Sequence, residues 1–175
     1  MNIILIGYRG SGKSIVGSRL ASRMERRFLD TDDLIESKEG QIRDIVKSHG
    51  WDYFRATEKR MIEEISKEDN LVIALGGGAV LDPVNIVHLE RNGFIIWLKA
   101  DRETLQKRME QDPRTFASRP TLTGKGTVEE LEEMVAYRNS FYERAAKIQF
   151  DTSALDVEAV VENILAALQE KMGRV

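Results

Sequence analysis

No cysteine occurs among the 175 residues, which excludes a disulfide framework and a thiolate metal site and makes a reducing cytoplasm the expected compartment. The two histidines, His49 and His88, stand too far apart for metal-ligand spacing, so no zinc site is expected and both read as ordinary surface or helix residues. No apolar run approaches membrane-spanning length, and the chain opens on an apolar strand rather than on the basic stretch and long apolar run of a signal peptide. Excess positive charge is missing too. With 26 Lys+Arg against 29 Asp+Glu the net charge is −3, and nothing in that balance recommends nucleic acid as a partner. The expectation is a cytoplasmic protein with neither membrane nor nucleic acid as its partner.

What is present is an ordinary globular balance of 42% hydrophobic and 31% charged residues, in a length that suits one domain, 1–175. There is no internal repeat, and no exposed coiled-coil or apolar stripe suggests an oligomer, so a monomer is expected. Short apolar runs at 2–6, 28–29, 71–75, 94–98 and 148–150 read as buried strands, each followed by a helical stretch. The helices are expected at 14–26, within 34–68, from Pro83, from about Asp101, over 127–145 and in the last segment. There Val157, Val160, Val161, Ile164, Leu165 and Leu168 share one face. Strands alternating with helices imply an α/β fold: a parallel sheet covered on both faces, with ligands at the carboxyl ends of the strands. A stretch rich in Pro, Gly, Ser and Thr at 112–126 is a lid candidate.

Gly7-Tyr8-Arg9-Gly10-Ser11-Gly12-Lys13-Ser14 fits G-x-x-x-x-G-K-[ST] in full, directly after a strand and before a helix. Glycines let backbone N–H groups curl around phosphates, Lys13 reaches the β- and γ-phosphates, and Ser14 offers its hydroxyl to Mg²⁺. This establishes a nucleotide phosphate loop and leaves kinases, GTPases, ATPases and motors all open.

The acceptor has to be argued from other residues. The third strand ends in Gly76, where phosphate-loop proteins usually carry an Mg²⁺-assisting aspartate, and Asp101 sits where a helix N-cap is expected. Asp30 and Asp32 are the remaining candidates. If the chain is still extended there, both point to one side, one near Mg²⁺ and the other orienting or deprotonating an attacking hydroxyl. Gly76-Gly77-Gly78 lets a ligand approach the backbone closely, or is a plain flexible turn. Arg55 can be held by Glu58 one turn on, as a functional or merely surface pair. Leu131, Val135 and Tyr142 form a stripe that turns Arg138 inward, where a guanidinium wants an anion. Arg55 and Arg138 together suggest a small carboxylic acid substrate. The run Arg102, Lys107, Arg108, Arg114, Arg119, Lys125 is basic within an acidic protein; a solvated surface accounts for such a run by itself, while Arg119 is placed to close over a transferring phosphate.

These segments, taken in order, resemble the shikimate kinase family, of the P-loop nucleoside-monophosphate-kinase-like fold, over nearly the whole chain. Residues 7–14 resemble its Walker A loop, Phe28-Leu29-Asp30-Thr31-Asp32 its D-T-D segment and Phe54-Arg55 its F-R pair. Leu75-Gly76-Gly77-Gly78-Ala79-Val80 is similar to its G-G-G-A segment, Arg119-Pro120-Leu122 to its lid with one residue inserted, and Tyr137-Arg138 with Tyr142 to its late arginine helix.

The resemblance implies a three-layer fold with strand order 2-3-1-4-5, a substrate-binding helical segment at about 31–60 and a mobile lid at about 112–126. It implies transfer of the ATP γ-phosphoryl to the 3-hydroxyl of shikimate, a step of aromatic amino acid biosynthesis. Shikimate would lie against Asp32, Arg55, Gly76, Gly77, Gly78 and Arg138, with the two arginines on its carboxylate and Asp32 facing the hydroxyl. ATP would meet Gly10, Ser11, Gly12, Lys13, Ser14, Ile15, Arg108 and Arg119, and Mg²⁺ would sit by Ser14 with Asp30 acting through water. Arg108 is the candidate for stacking on the base, with Arg114 competing. The alternatives are a gluconate kinase, which also needs a cationic carboxylate site, and a nucleotide-dependent switch without metabolite chemistry.

Overall fold

Asn2 and the four branched apolar residues after it are all buried in β1 (Asn2–Ile6), with Asn2 satisfied at the strand entrance. Asn2 Oδ1 accepts from Leu71 N (2.9 Å) and its Nδ2 donates to Glu68 O (2.9 Å), which fixes β1 against β3 (Leu71–Ala74). A computed structural model describes residues 1–112 and 127–173. Apart from Asp112, the expected lid at 112–126, with Arg114 and Arg119, lies outside the described residues.

β2 (Arg27–Asp30), β4 (Gly93–Lys99) and β5 (Ile148–Asp151) complete a five-stranded parallel sheet in the order β2-β3-β1-β4-β5, as expected. Side chains alternate across a strand, so each buried strand feeds two cores. Ile3, Leu5, Val72, Ile96 and Leu98 pack under α1 (Lys13–Arg23) and the last helix, α7 (Val157–Met172). Ile4, Ile6, Ile73, Ile95 and Trp97 face the other layer. That layer holds α2 (Thr31–Glu39), α3 (Ile42–Ile65), α4 (Pro83–Glu90), α5 (Arg102–Gln111) and α6 (Thr127–Ala145). No helix among the described residues is long and apolar enough to cross a membrane.

Aspartates start four of these helices. Asp30, Asp82, Asp101 and Asp156 accept from the backbone N–H of Asp32, Val84, Thr104 and Ala159, each cap stabilising its helix by about 1 kcal/mol. Asp101 is thus the expected cap, and Pro83 lies in the first turn of α4 as expected. α1 stops at Arg23 rather than 26, because Glu25 turns left-handed (φ 54°) to bring the chain back into β2. α3 is broken inside by Gly50 (φ 84°, ψ 170°), and a 3-10 turn, Ala79–Leu81, follows the glycine triplet.

Candidate active site

β1 delivers the chain to residue 7 at the carboxyl edge of the sheet, and the phosphate loop turns there into α1. Gly7 needs its hydrogen: its φ is 147°, and a β-carbon would stand 2.8 Å from Ser11 Oγ and run into the Leu98 carbonyl. Gly12 caps α1 in a left-handed conformation with no side-chain cap, so the first N–H groups of the helix stay open to an anion. Lys13 Nζ donates to Tyr8 O (2.9 Å), folding back over the loop it belongs to. Ser11 is fully buried and its Oγ has no partner, while Ile15 is exposed at the rim.

Asp30 ends β2 beside that loop. Ser14 Oγ donates to its Oδ2 (2.6 Å), and its Oδ1 accepts from Asp32 N (3.0 Å). The expectation of an extended chain through Asp30 and Asp32 is not met, because Asp30 caps α2 and Asp32 lies in that helix's first turn. Both carboxylates reach the same cleft nonetheless, since the first turn of a helix points its side chains back toward its cap. The hydroxyl of Ser14 and the carboxylate of Asp30 form a hard, all-oxygen donor pair of the kind Mg²⁺ takes when water and phosphate supply its remaining ligands. Among the described residues no group of three His, Cys, Asp or Glu could hold a metal by protein ligands alone.

This nucleotide-side cleft is lined by Gly10, Gly12, Lys13, Ser14, Ile15, Asp30, Asp32 and Arg108 among others. Arg108, on α5, donates from Nη1 to Thr152 Oγ1 (2.9 Å) and Gly10 O (3.3 Å), and from Nη2 to Thr152 O (2.7 Å). Its guanidinium is therefore fixed between the phosphate loop and the loop after β5.

A second cleft opens beside it and gathers the expected acceptor set: Asp32, Arg55, Gly76, Gly77, Gly78 and Arg138. Arg138 is 5% exposed on α6, lies over the Tyr8 ring at 5.5 Å, and its buried Nε has no hydrogen-bond partner. A buried cation with an idle donor is costly unless an anion arrives. Arg55, 33% exposed, donates from Nη1 to Glu58 Oε2 (2.5 Å) and lies over the Phe54 and Trp51 rings at 5.1 and 5.5 Å. Gly78 is bare because that guanidinium sits against it, with Cζ 2.7 Å from where a β-carbon would be.

The sequence showed Glu58 only as a helper of Arg55; the structure buries it to 1% exposure at the floor of the cleft, with Oε1 unpartnered. Burial raises its pKa from 4.5 to about 7, against the opposing pull of Arg55. Tyr142 was part of the helical stripe, and its hydroxyl donates to Gly77 O (2.6 Å) while burial pushes its pKa up. Thr31 Oγ1 accepts from Gly76 N (2.8 Å), tying the start of α2 to the glycine triplet. Tyr8, Trp51 and Ile42 also line the acceptor cleft. The aromatic residues next to the F-R pair were the one signal for this wall. The two clefts meet along Arg9, Asp32 and Gly77.

The family model for shikimate kinase matches residues 9–169. The chain is 40% identical over 179 residues to the shikimate kinase of Syntrophus aciditrophicus, covering 97% of this chain and 92% of that one. It is 41% identical over 172 residues to that of Symbiobacterium thermophilum, covering 98% of each. Among solved structures, shikimate kinase from Acinetobacter baumannii in complex with shikimate superposes with a TM-score of 0.89 at 31% identity, covering 98% of this chain and 94% of that one. With motif order, strand order and full-length similarity in agreement, this chain belongs to the shikimate kinase family.

Proposed function

We propose that the chain binds ATP over its phosphate loop and transfers the γ-phosphoryl to the 3-hydroxyl of shikimate, giving shikimate 3-phosphate and ADP. The observation that carries this reading is the pair Arg55 and Arg138 in one cleft with Asp32, opening on the phosphate loop. The two guanidiniums receive the carboxylate, Arg138 with its idle buried Nε and Arg55 with its exposed edge. Gly76, Gly77 and Gly78 border the acceptor, and the bare backbone of Gly76 and Gly78 makes room for the Asp32 carboxylate and the Arg55 guanidinium that meet it.

With the carboxylate held there, Asp32 accepts the hydrogen bond of the attacking hydroxyl and takes its proton. The hydroxyl oxygen forms a bond to the γ-phosphorus as the bond from that phosphorus to the bridging oxygen of ADP breaks. Lys13 and the N–H groups of Gly10, Ser11, Gly12 and Ser14 bear on the phosphates, with Ile15 and Arg108 bordering the nucleotide. Ser14, and Asp30 through water, would hold Mg²⁺, which supplies neutralisation of phosphate charge when bound. Arg119 closing from a lid at 112–126, one kinase domain spanning 1–175, monomeric action and a cytoplasmic location belong to the same reading.

A coupled ADP-release assay tests it: shikimate should raise turnover well above the ATP-only background. Turnover with gluconate or a nucleoside monophosphate in place of shikimate would reassign the acceptor. Slow acceptor-independent hydrolysis with tight binding of a protein partner would instead indicate a switch.

A further inference from the structure

The acceptor cleft and the nucleotide cleft have different walls except along one seam, where Arg9, Asp32 and Gly77 belong to both. Gly77 has no side chain, so among the described residues the charged side chains common to both clefts are those of Asp32 and Arg9. The other cations of the two clefts belong to one side each, Arg55 and Arg138 to the acceptor and Lys13 and Arg108 to the nucleotide. Asp32 already has a part in the reading above; Arg9 has none.

We propose that Arg9 is a further catalytic residue, whose guanidinium contacts the phosphoryl group while it passes from nucleotide to acceptor. This rests on the kinase reading just given. In a loose transition state the charge spreads over three equatorial oxygens midway between donor and acceptor. A cation seated at the seam meets those oxygens best at that moment, so it raises kcat rather than tightening either substrate.

The backbone on both sides of Arg9 is clamped, which gives its side chain a fixed origin. Tyr8 O accepts from Lys13 Nζ (2.9 Å) and Ser11 N (3.2 Å), and Gly10 O accepts from Arg108 Nη1 (3.3 Å). The Tyr8 ring lies under Arg138 at 5.5 Å. Nothing in the loop's own construction requires an arginine at position 9, because cradling phosphates takes the glycines, the lysine and the serine. A guanidinium there is half-buried, so part of its water is already stripped and its field is less screened than on an open surface. Its planar fork can also bond two oxygens at once, which an ammonium cannot.

The test compares wild type with Arg9→Met and Arg9→Lys. kcat is measured by ADP release at saturating shikimate and Mg·ATP, and the dissociation constants of ADP and shikimate are measured by tryptophan fluorescence, since Trp51 lines the acceptor cleft. Arg9→Met should lower kcat by about 10- to 100-fold while both dissociation constants stay within about threefold, and Arg9→Lys should fall between. A kcat within about threefold of wild type in Arg9→Met overturns the proposal, as does a loss of ADP or shikimate affinity as large as the loss of rate. If wild type itself does not phosphorylate shikimate, the acceptor reading fails separately. The same variants are then compared on acceptor-independent ADP release, where equal rates overturn the role of Arg9 and a drop in Arg9→Met sustains it.

Discussion

Asp32 Oδ1 and Glu58 Oε1 converge on one bare spot, 2.6 and 2.7 Å from where a β-carbon on Gly76 would stand. Two carboxyl groups from different helices crowd the same point because that point carries only a hydrogen. Their closeness also adds to the burial that raises the Glu58 pKa.

Replacing Gly76 by alanine should therefore displace one of the two carboxyl groups without straining the backbone. Steady-state kinetics should show kcat/KM for shikimate lower by about 10- to 100-fold, since a misplacement near 1 Å is costly in a positioned site. ADP affinity should hold, and unchanged shikimate kinetics would mean that neither carboxyl is positioned for the reaction.

Glu58 should leave a pH signature on stability. Its folded pKa of about 7 lies above the ordinary value of 4.5, so between those values the folded state binds more protons than the unfolded state. The stability it contributes is complete below about pH 4.5 and is lost as pH rises through 7, on the order of 3 kcal/mol in all. Urea melts of wild type and Glu58→Gln across that window should give a difference curve with this slope; a flat difference would place the Glu58 pKa near its ordinary value.

Arg138→Ala should raise KM for shikimate by about 10- to 150-fold with little change in ATP binding, because a charged hydrogen bond is worth roughly 1.5 to 3 kcal/mol. Initial rates over a grid of both substrates decide this. Equal damage to the two would point to a collapsed helix α6 rather than a lost carboxylate contact.

Asp32→Asn keeps the shape of the side chain and removes its basicity. A fall in kcat on the order of 100-fold or more is expected if the carboxylate takes the proton, with KM for ATP preserved. A kcat close to wild type would reduce Asp32 to a group that orients the hydroxyl.

The phosphate loop and the alternation of strands and helices could be read from the chain because each is a local pattern, an apolar run, a glycine break, a helix, whereas the strand order followed only from the resemblance to the family. Asp30 and Asp32 were found for a reason that does not hold, since pleat alternation pointed to a shared side and the structure reaches the same cleft through a cap and the first helical turn. Glu58 was seen as the partner of Arg55, but helical spacing tells which residues share a face and not what covers that face, so its burial was invisible. Arg9 was missed because the motif leaves its position open. Thr152 was missed because its bonds to Ser11 O (3.3 Å) and Lys99 O (3.2 Å) join parts of the chain far apart in sequence.

Gly50 divides α3 into a front piece carrying Ile42 and a rear piece carrying Trp51, Phe54 and Arg55, and both pieces wall the acceptor cleft. The rear piece is anchored in the core by Ile62 and Ile65 and the front piece by Ile42 and Ile45, so the break at Gly50 joins two pieces that are each held by the core. Since nothing stands within 4 Å of where a β-carbon on Gly50 would be, the positive φ rather than any lack of room reserves that position for glycine.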